Sequence, residues 1–170
     1  GERMYSPFEK VVPRIEAVSV WDFHPDPSAT SLEDAEYVIQ RHRMNRQQLR
    51  ALQQRPFFDK EIIADVIAHG PNYTDKYYED TVRNDENDPA YQDNRFEVLE
   101  YWGILDAYFA KEIGMDIPAG MDDLDQLQIN AWVCGPRVLR CVLNPFTPAR
   151  IPYCAMPFEV NPYNIFGVGV

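Results

Sequence analysis

The tract from Val18 to Arg43, V-S-V-W-D-F-H-P-D-P-S-A-T-S-L-E-D-A-E-Y-V-I-Q-R-H-R, constrains the fold more than any other part of the chain. An extended apolar run stops at Pro25 and Pro27, crosses small polar residues and restarts at Tyr37. Proline fixes φ and removes a backbone donor, so neither proline suits a helix interior or a central strand. The pattern predicts two extended segments joined by a turn. The first, Val11 to Phe23, puts Ile15, Ala17 and Ser19 on one face and Val18 and Val20 on the other, and ends at a His24-Pro25 turn. Thr30 or Ser31 then caps a brief helical turn, with Glu33 and Asp34 three residues further on. From Glu36 to Met44 the β-branched and aromatic content favours a strand, with a helix continuing from Leu32 as the alternative.

Helix signals follow. Asn45 precedes R-Q-Q-L-R-A-L-Q-Q, with Gln48 at the third helical position and Leu49 and Leu52 facing inwards. Asp59 precedes K-E-I-I-A-D-V-I-A-H, whose Ile62, Ile63, Val66 and Ile67 form one apolar stripe, and Gly70-Pro71 closes it. The segment 72–94 is acidic, rich in tyrosine and nearly free of aliphatics, which predicts a solvated loop or a partner-facing element between 1–71 and 95–170. Beyond it Phe96, Val98, Glu100 and Trp102 alternate with Glu97, Leu99 and Tyr101, the period of a strand. A helical excursion fits Asp106 to Ile113. Leu127 to Val133 and Arg137 to Leu143 flank the turn-forming Cys134-Gly135-Pro136 and predict a hairpin, and Ile151 to Val160 adds an extended segment. The predicted class is α+β, with short helices in the first half and mainly antiparallel β-strands in the second.

Chemical signatures are sparse. The histidines, His24, His42 and His69, include no pair at the i, i+4 spacing of a helical zinc motif. His24 with Asp22 and Asp26 is the arrangement a metal-assisted hydrolase would use, against the plainer reading of a turn with polar caps. Asp122, Asp123 and Asp125 lack the glycine and distal glutamate of an EF-hand loop and read as a solvated acidic turn. No nucleophile elbow, Walker loop or dinucleotide fingerprint occurs, so neither catalysis nor a cofactor is expected. Cys134, Cys141 and Cys154 are odd in number, widely spaced and set in apolar, strand-like sequence, which predicts free thiols packed as small hydrophobes in a reducing cytoplasm.

Charge narrows the partners. A formal charge of -11 argues against a protein that coats nucleic acid with its whole surface, although a repelling wall suits a conduit in which a duplex slides. Against that background Arg41, Arg43, Arg46, Arg50 and Arg55 occur without one acidic residue among them. They are candidate contacts for DNA phosphate or for the acidic face of a neighbouring subunit, or simply a surface paired with acidic neighbours. Tyr73, Tyr77 and Tyr78 would suit a protein interface if exposed. No apolar run approaches the roughly 20 residues that cross a bilayer, and no membrane partner is expected.

Several blocks in order resemble the portal proteins of tailed bacteriophages, the head-to-tail connectors. Asp26, Pro27, Ser28, Ala29 and Thr30 match a small-residue turn after an apolar segment, and Asp34, Ala35, Tyr37 and Val38 match the "D-A-x-Y-V" continuation before a basic extended stretch. R-F-E-V-L-E-Y-W-G from Arg95, R-V-L-R-C-V-L-N-P-F from Arg137, I-P-Y from Ile151 and the final F-G-V-G-V follow in the order and approximate spacing of that family. The resemblance implies a structural protein without enzymatic activity, present in the virion at the capsid portal vertex and assembled in the bacterial host cytoplasm. Its partners would be itself in a ring, typically a dodecamer, the terminase, head-tail adaptor proteins, and double-stranded DNA in the channel. It implies further that 1–71 is a wing or stem-proximal segment and that 95–170 is a clip-like segment leading to a stem helix outside this chain. The start at Gly1-Glu2-Arg3 and the end at Gly169-Val170 suit a piece of a longer polypeptide. Strands of such clips exchange pairings between subunits, which makes Leu127 to Leu143, with Val133, Val138 and Arg140, the candidate subunit interface. Another head-tail adaptor component is the alternative within the virion.

Overall fold

A computed structural model describes residues 15–73, 94–157 and 159–167. It is α+β: an antiparallel sheet of five strands with three short helices among the described residues. The strands are β1 (Phe23–Pro25), β2 (Tyr37–Met44), β3 (Phe96–Asp106), β4 (Gln126–Cys134) and β5 (Arg137–Leu143), and they lie side by side in chain order. The helices are α1 (Arg46–Leu52), α2 (Lys60–His69) and α3 (Ala107–Glu112). β2 and β3 pair from Tyr37↔Gly103 to Met44↔Phe96, so the sequence on both sides of 72–94 enters one sheet.

The first predicted strand is corrected. Residues 15–19 have no regular structure, Val20–Asp22 is a 3-10 turn capped by Ser19, and only Phe23–Pro25 pairs with β2. Pro25 sits at the last position of an edge strand, where its missing donor is harmless. The earlier part of that prediction, Val11 to Arg14, lies outside the described residues. Ser31 caps its turn as expected, with the Asp34 amide on its hydroxyl at 3.3 Å. Glu36 to Met44 resolves in favour of the strand. Among the described residues of Ile151 to Val160 regular pairing is limited to a bridge at Glu159; two of the ten positions are prolines, and the segment runs over the surface after Pro145 and Pro148.

Helices α1 and α2 begin at the predicted caps. Asn45 Oδ1 accepts the Gln48 amide at 2.8 Å while Gln48 Oε1 accepts the Asn45 amide at 2.8 Å, a complete capping box. Asp59 accepts the Glu61 and Ile62 amides at 2.9 Å each, and Gly70 at φ 93 ends α2 in a conformation costly to other residues.

Alternation along the strands divides the core. On one face Phe96, Val98, Trp132, Cys134 and Leu139 pack under Leu49 and Leu52 of α1 and Ile63 and Val66 of α2. On the other, Leu127, Ile129 and Ala131 pack under Ala107 and Ala110 of α3. Each large aliphatic buried this way stabilises by roughly 1.5–3 kcal/mol. The β4–β5 turn is the two-residue Gly135-Pro136, with Gly135 at φ 56 and proline's fixed negative φ next, the signs of a type II′ turn. The register slips between Trp132 and Val133, leaving Leu139 as the extra residue of a bulge. A bulge turns neighbouring side chains towards the same side, which puts Leu139 in the core and Arg140 beside Trp132.

Candidate functional site

The arginine stretch divides into two populations. Arg41 and Arg43, two residues apart on β2, share one face of the sheet, and the 3-10 turn brings Asp22 to them. Arg41 is 2% exposed and meets Asp22 Oδ1 at 2.8 Å, while Arg43 meets Oδ2 at 3.3 Å. Both guanidinium groups lie over the Tyr73 ring, at 5.6 and 5.7 Å from its centroid. This is an internal charge cluster, which removes Arg41 from the candidate contacts for DNA or a subunit. Arg46, Arg50 and Arg55 are exposed on α1 and the connection that follows, and they remain.

Tyr73 is half-buried, and its amide donates to the Arg95 carbonyl at 3.1 Å. Tyr77 and Tyr78 lie outside the described residues. Val133 and Val138 face each other across β4 and β5 and are half-buried. Arg140 turns inward, with its guanidinium 5.3 Å from the Phe58 ring centroid and its Nε buried. Burial pushes its pKa below the ordinary arginine value, with Glu100 opposing. β4 is paired on both sides, so within Leu127 to Leu143 the strand with an open edge for exchange with another copy is β5. That edge is blunted at Leu139, which bulges and whose carbonyl accepts the Asp59 amide at 2.9 Å.

The carboxylates of the metal reading are committed elsewhere. Asp22 serves the two arginines. Asp26 accepts the Ser28 hydroxyl at 2.7 Å, the Ser28 amide at 2.8 Å and the Glu36 amide at 3.3 Å, and so locks the connection between β1 and β2. No group of three or more His, Cys, Asp and Glu side chains among the described residues could hold a metal ion. The acidic turn closes on itself, with the Asp122 amide on Asp125 and the Asp123 amide on Asp122, and Lys111 pairs with Asp123. Cys134 and Cys141 are packed thiols whose pKa values burial pushes up, whereas Cys154 is exposed on a segment without strand structure.

The Ser28 hydroxyl and amide, with the Glu36 amide, hold the Asp26 carboxyl below its ordinary pKa against the opposing effect of burial. A depressed folded pKa contributes stability that is fully present above the unfolded value of about 3.9 and is lost as pH falls through the folded value. Asp26→Asn is therefore expected to lower the urea midpoint near neutral pH and to converge on the wild type in acid. Equal differences at both pH values would remove this role from Asp26.

Sequence reasoning missed a polar junction on the face shared with α1 and α2. Gln40, Glu100, Trp132 and Arg140 stand in one row across β2 to β5. Glu100 Oε1 accepts Trp102 Nε1 at 2.9 Å and Asn130 Nδ2 at 3.1 Å, and Oε2 lies 3.0 Å from His42 Nε2. His42 stacks on Trp132 with ring centroids 4.8 Å apart. Tyr153 closes the row from above, donating to Gln40 at 2.6 Å, and burial pushes its phenol pKa far up. The junction joins the helix-covered part of the sheet to the part covered by Phe146 and Tyr153. With its carboxylate fully engaged, it reads as a structural lock and offers no nucleophile.

Among the described residues no helix is long and apolar enough to cross a membrane. No protein-family model matches the chain, and no curated protein matches it.

Proposed function

We propose that this chain is part of a phage portal protein, a structural subunit of the ring through which double-stranded DNA enters and leaves the capsid. The observation that carries the reading is the ordered series of sequence blocks that begins with Asp26 to Thr30 and Asp34 to Val38. In the fold these residues do architectural work. Asp26 locks the β1–β2 connection, Val38 is fully buried, and Trp102 of the later block is buried beside Glu100. Motifs spent on holding a scaffold suit an assembly subunit better than an enzyme, and Asp22 and Asp26, the carboxylates a hydrolase would need, are already satisfied by protein donors.

On this reading the terminase and the head-tail adaptors dock on the assembled ring at the virion's portal vertex. Arg46, Arg50 and Arg55 are the exposed cations left to meet DNA or a neighbouring copy. The test is particle imaging and solution mass of the intact parent protein. A large closed ring with a central hole is expected, and its subunit number separates a portal from an adaptor. A small monomer whose metal-dependent hydrolysis falls in His24→Ala would overturn the proposal.

A further inference from the structure

Helix α3 is built the wrong way round for a helix whose only partner is its own sheet. Its small residues, Ala107 and Ala110, are fully buried, while Tyr108 and Phe109 are 53% and 50% exposed. The alanines let the helix approach the sheet closely, and the aromatic pair is forced outward, its rings in an edge contact at 5.3 Å. Ile113, one turn beyond Phe109, is 46% exposed, and Leu124 is 86% exposed on the turn whose Asp123 carbonyl accepts the Tyr108 amide. Aromatics clustered outward in this way mark interfaces. The rim is acidic, with Glu112, Asp116 and Asp122 exposed beside the patch.

The chemical complement lies on the same chain. Arg46, Arg50 and Arg55 are exposed on α1 and its following connection, and no ion pair engages them among the described residues. Phe57 is 75% exposed next to them, held outward by a positive φ of 68 while Phe58 turns into the core. Arginine against Tyr and Phe, with carboxylates around the contact, combines cation–π attraction with ion pairing. The two surfaces do not meet within one copy. α1 covers the sheet face of Phe96 and Trp132 at the start of β3, whereas α3 covers the opposite face from the end of β3.

We propose that the arginine surface of α1 in one copy docks on the outward aromatic face of α3 in the next, a head-to-tail contact. Two different surfaces joined this way give rings when the rotation closes. The proposal deepens the ring reading and rests on it for closure, while the contact itself is a property of this chain.

The test is sedimentation of the 170-residue chain over a concentration range, with charge reversals on each surface. Wild type is expected to self-associate, more weakly as salt rises. Arg46→Glu/Arg50→Glu and Glu112→Arg/Asp116→Arg, each alone, are expected to weaken association on the order of 100-fold, because like charges then oppose across the contact. Both sets of positions are exposed, so the folded monomer is expected to survive. An equimolar mixture of the two variants is expected to restore association, since each altered surface meets its reversed complement. A wild-type chain that stays monomeric, or a mixture that does, overturns the contact. So does a result in which only duplex DNA binding responds to the arginine reversals. If the parent ring persists in both variants, this contact fails and the portal reading stands; rescue in the chain without any parent ring does the reverse.

Discussion

Glu100→Ala is expected to destabilise the fold by about 3–5 kcal/mol, since it strands several buried donors at once. The side chain is 13% exposed, and its oxygens take the Trp102 indole, the Asn130 amide and the His42 ring. Each stranded buried donor costs about 1–3 kcal/mol, because water cannot replace the lost acceptor. Asn130 keeps the Tyr101 carbonyl at 3.3 Å, which moderates its share. Glu100→Gln retains an oxygen for Trp102 and Asn130 and presents its amide to His42, so its expected loss is about 1 kcal/mol. Urea unfolding followed by tryptophan fluorescence measures both, with an unchanged slope showing that the unfolded state is not the cause. Equal losses in the two variants would mean that the carboxylate charge, which both remove, carries the effect, since glutamine keeps the volume and one acceptor oxygen.

Part of this junction was legible. The alternation Phe96, Val98, Glu100, Trp102 places a carboxylate on an otherwise apolar face, and a buried carboxylate requires donors. Their identity was not legible, because Asn130 and His42 reach Glu100 through strand register, which no single segment encodes. The same distinction separates the local features that sequence predicted from those it missed. Asn45, Asp59 and Gly135-Pro136 act within a few residues of themselves, and each sits where cap and turn chemistry puts it. Val18 to Asp22 has the composition of a strand, yet beside the β2 edge Val20–Asp22 closes into a 3-10 turn that delivers Asp22 to Arg41. The arginine stretch looked uniform as a string; the change from the two-residue repeat of β2 to the helical repeat of α1 is what buries Arg41 and exposes Arg46. On α3 the signal was present and unread. A six-residue helix with alanines three apart and two adjacent aromatics between them cannot bury both kinds on one face.

Gly103→Val sets packing directly against propensity. Valine is a better strand residue than glycine by up to about 1 kcal/mol, and Gly103 lies within β3, paired with both Tyr37 and Ile129. Propensity alone therefore predicts a gain. The space denies it. A Cβ at position 103 would stand 2.6 Å from Tyr37 Cβ, 2.7 Å from the Tyr101 hydroxyl and 2.8 Å from the Glu36 carbonyl oxygen. None of the three is free to retreat. The Tyr37 Cβ is fixed by the β2 backbone, and the Glu36 carbonyl belongs to the chain entering β2. The Tyr101 ring stacks on Tyr37 at 6.0 Å, and its hydroxyl donates to the Ile104 carbonyl at 2.7 Å. The tyrosine thus lies over the glycine and covers the gap its missing side chain leaves. Overpacking of this kind costs about 1–3 kcal/mol, and with a backbone oxygen among the clashing atoms the expected loss is about 3 kcal/mol for valine and less for alanine. Tyr101→Ala in the Gly103→Val background is expected to recover part of that loss, a coupling between the two sites measurable by a double-mutant cycle of urea midpoints. A gain in stability for Gly103→Val, or strict additivity with Tyr101→Ala, would show that the aromatic cover does not demand the glycine.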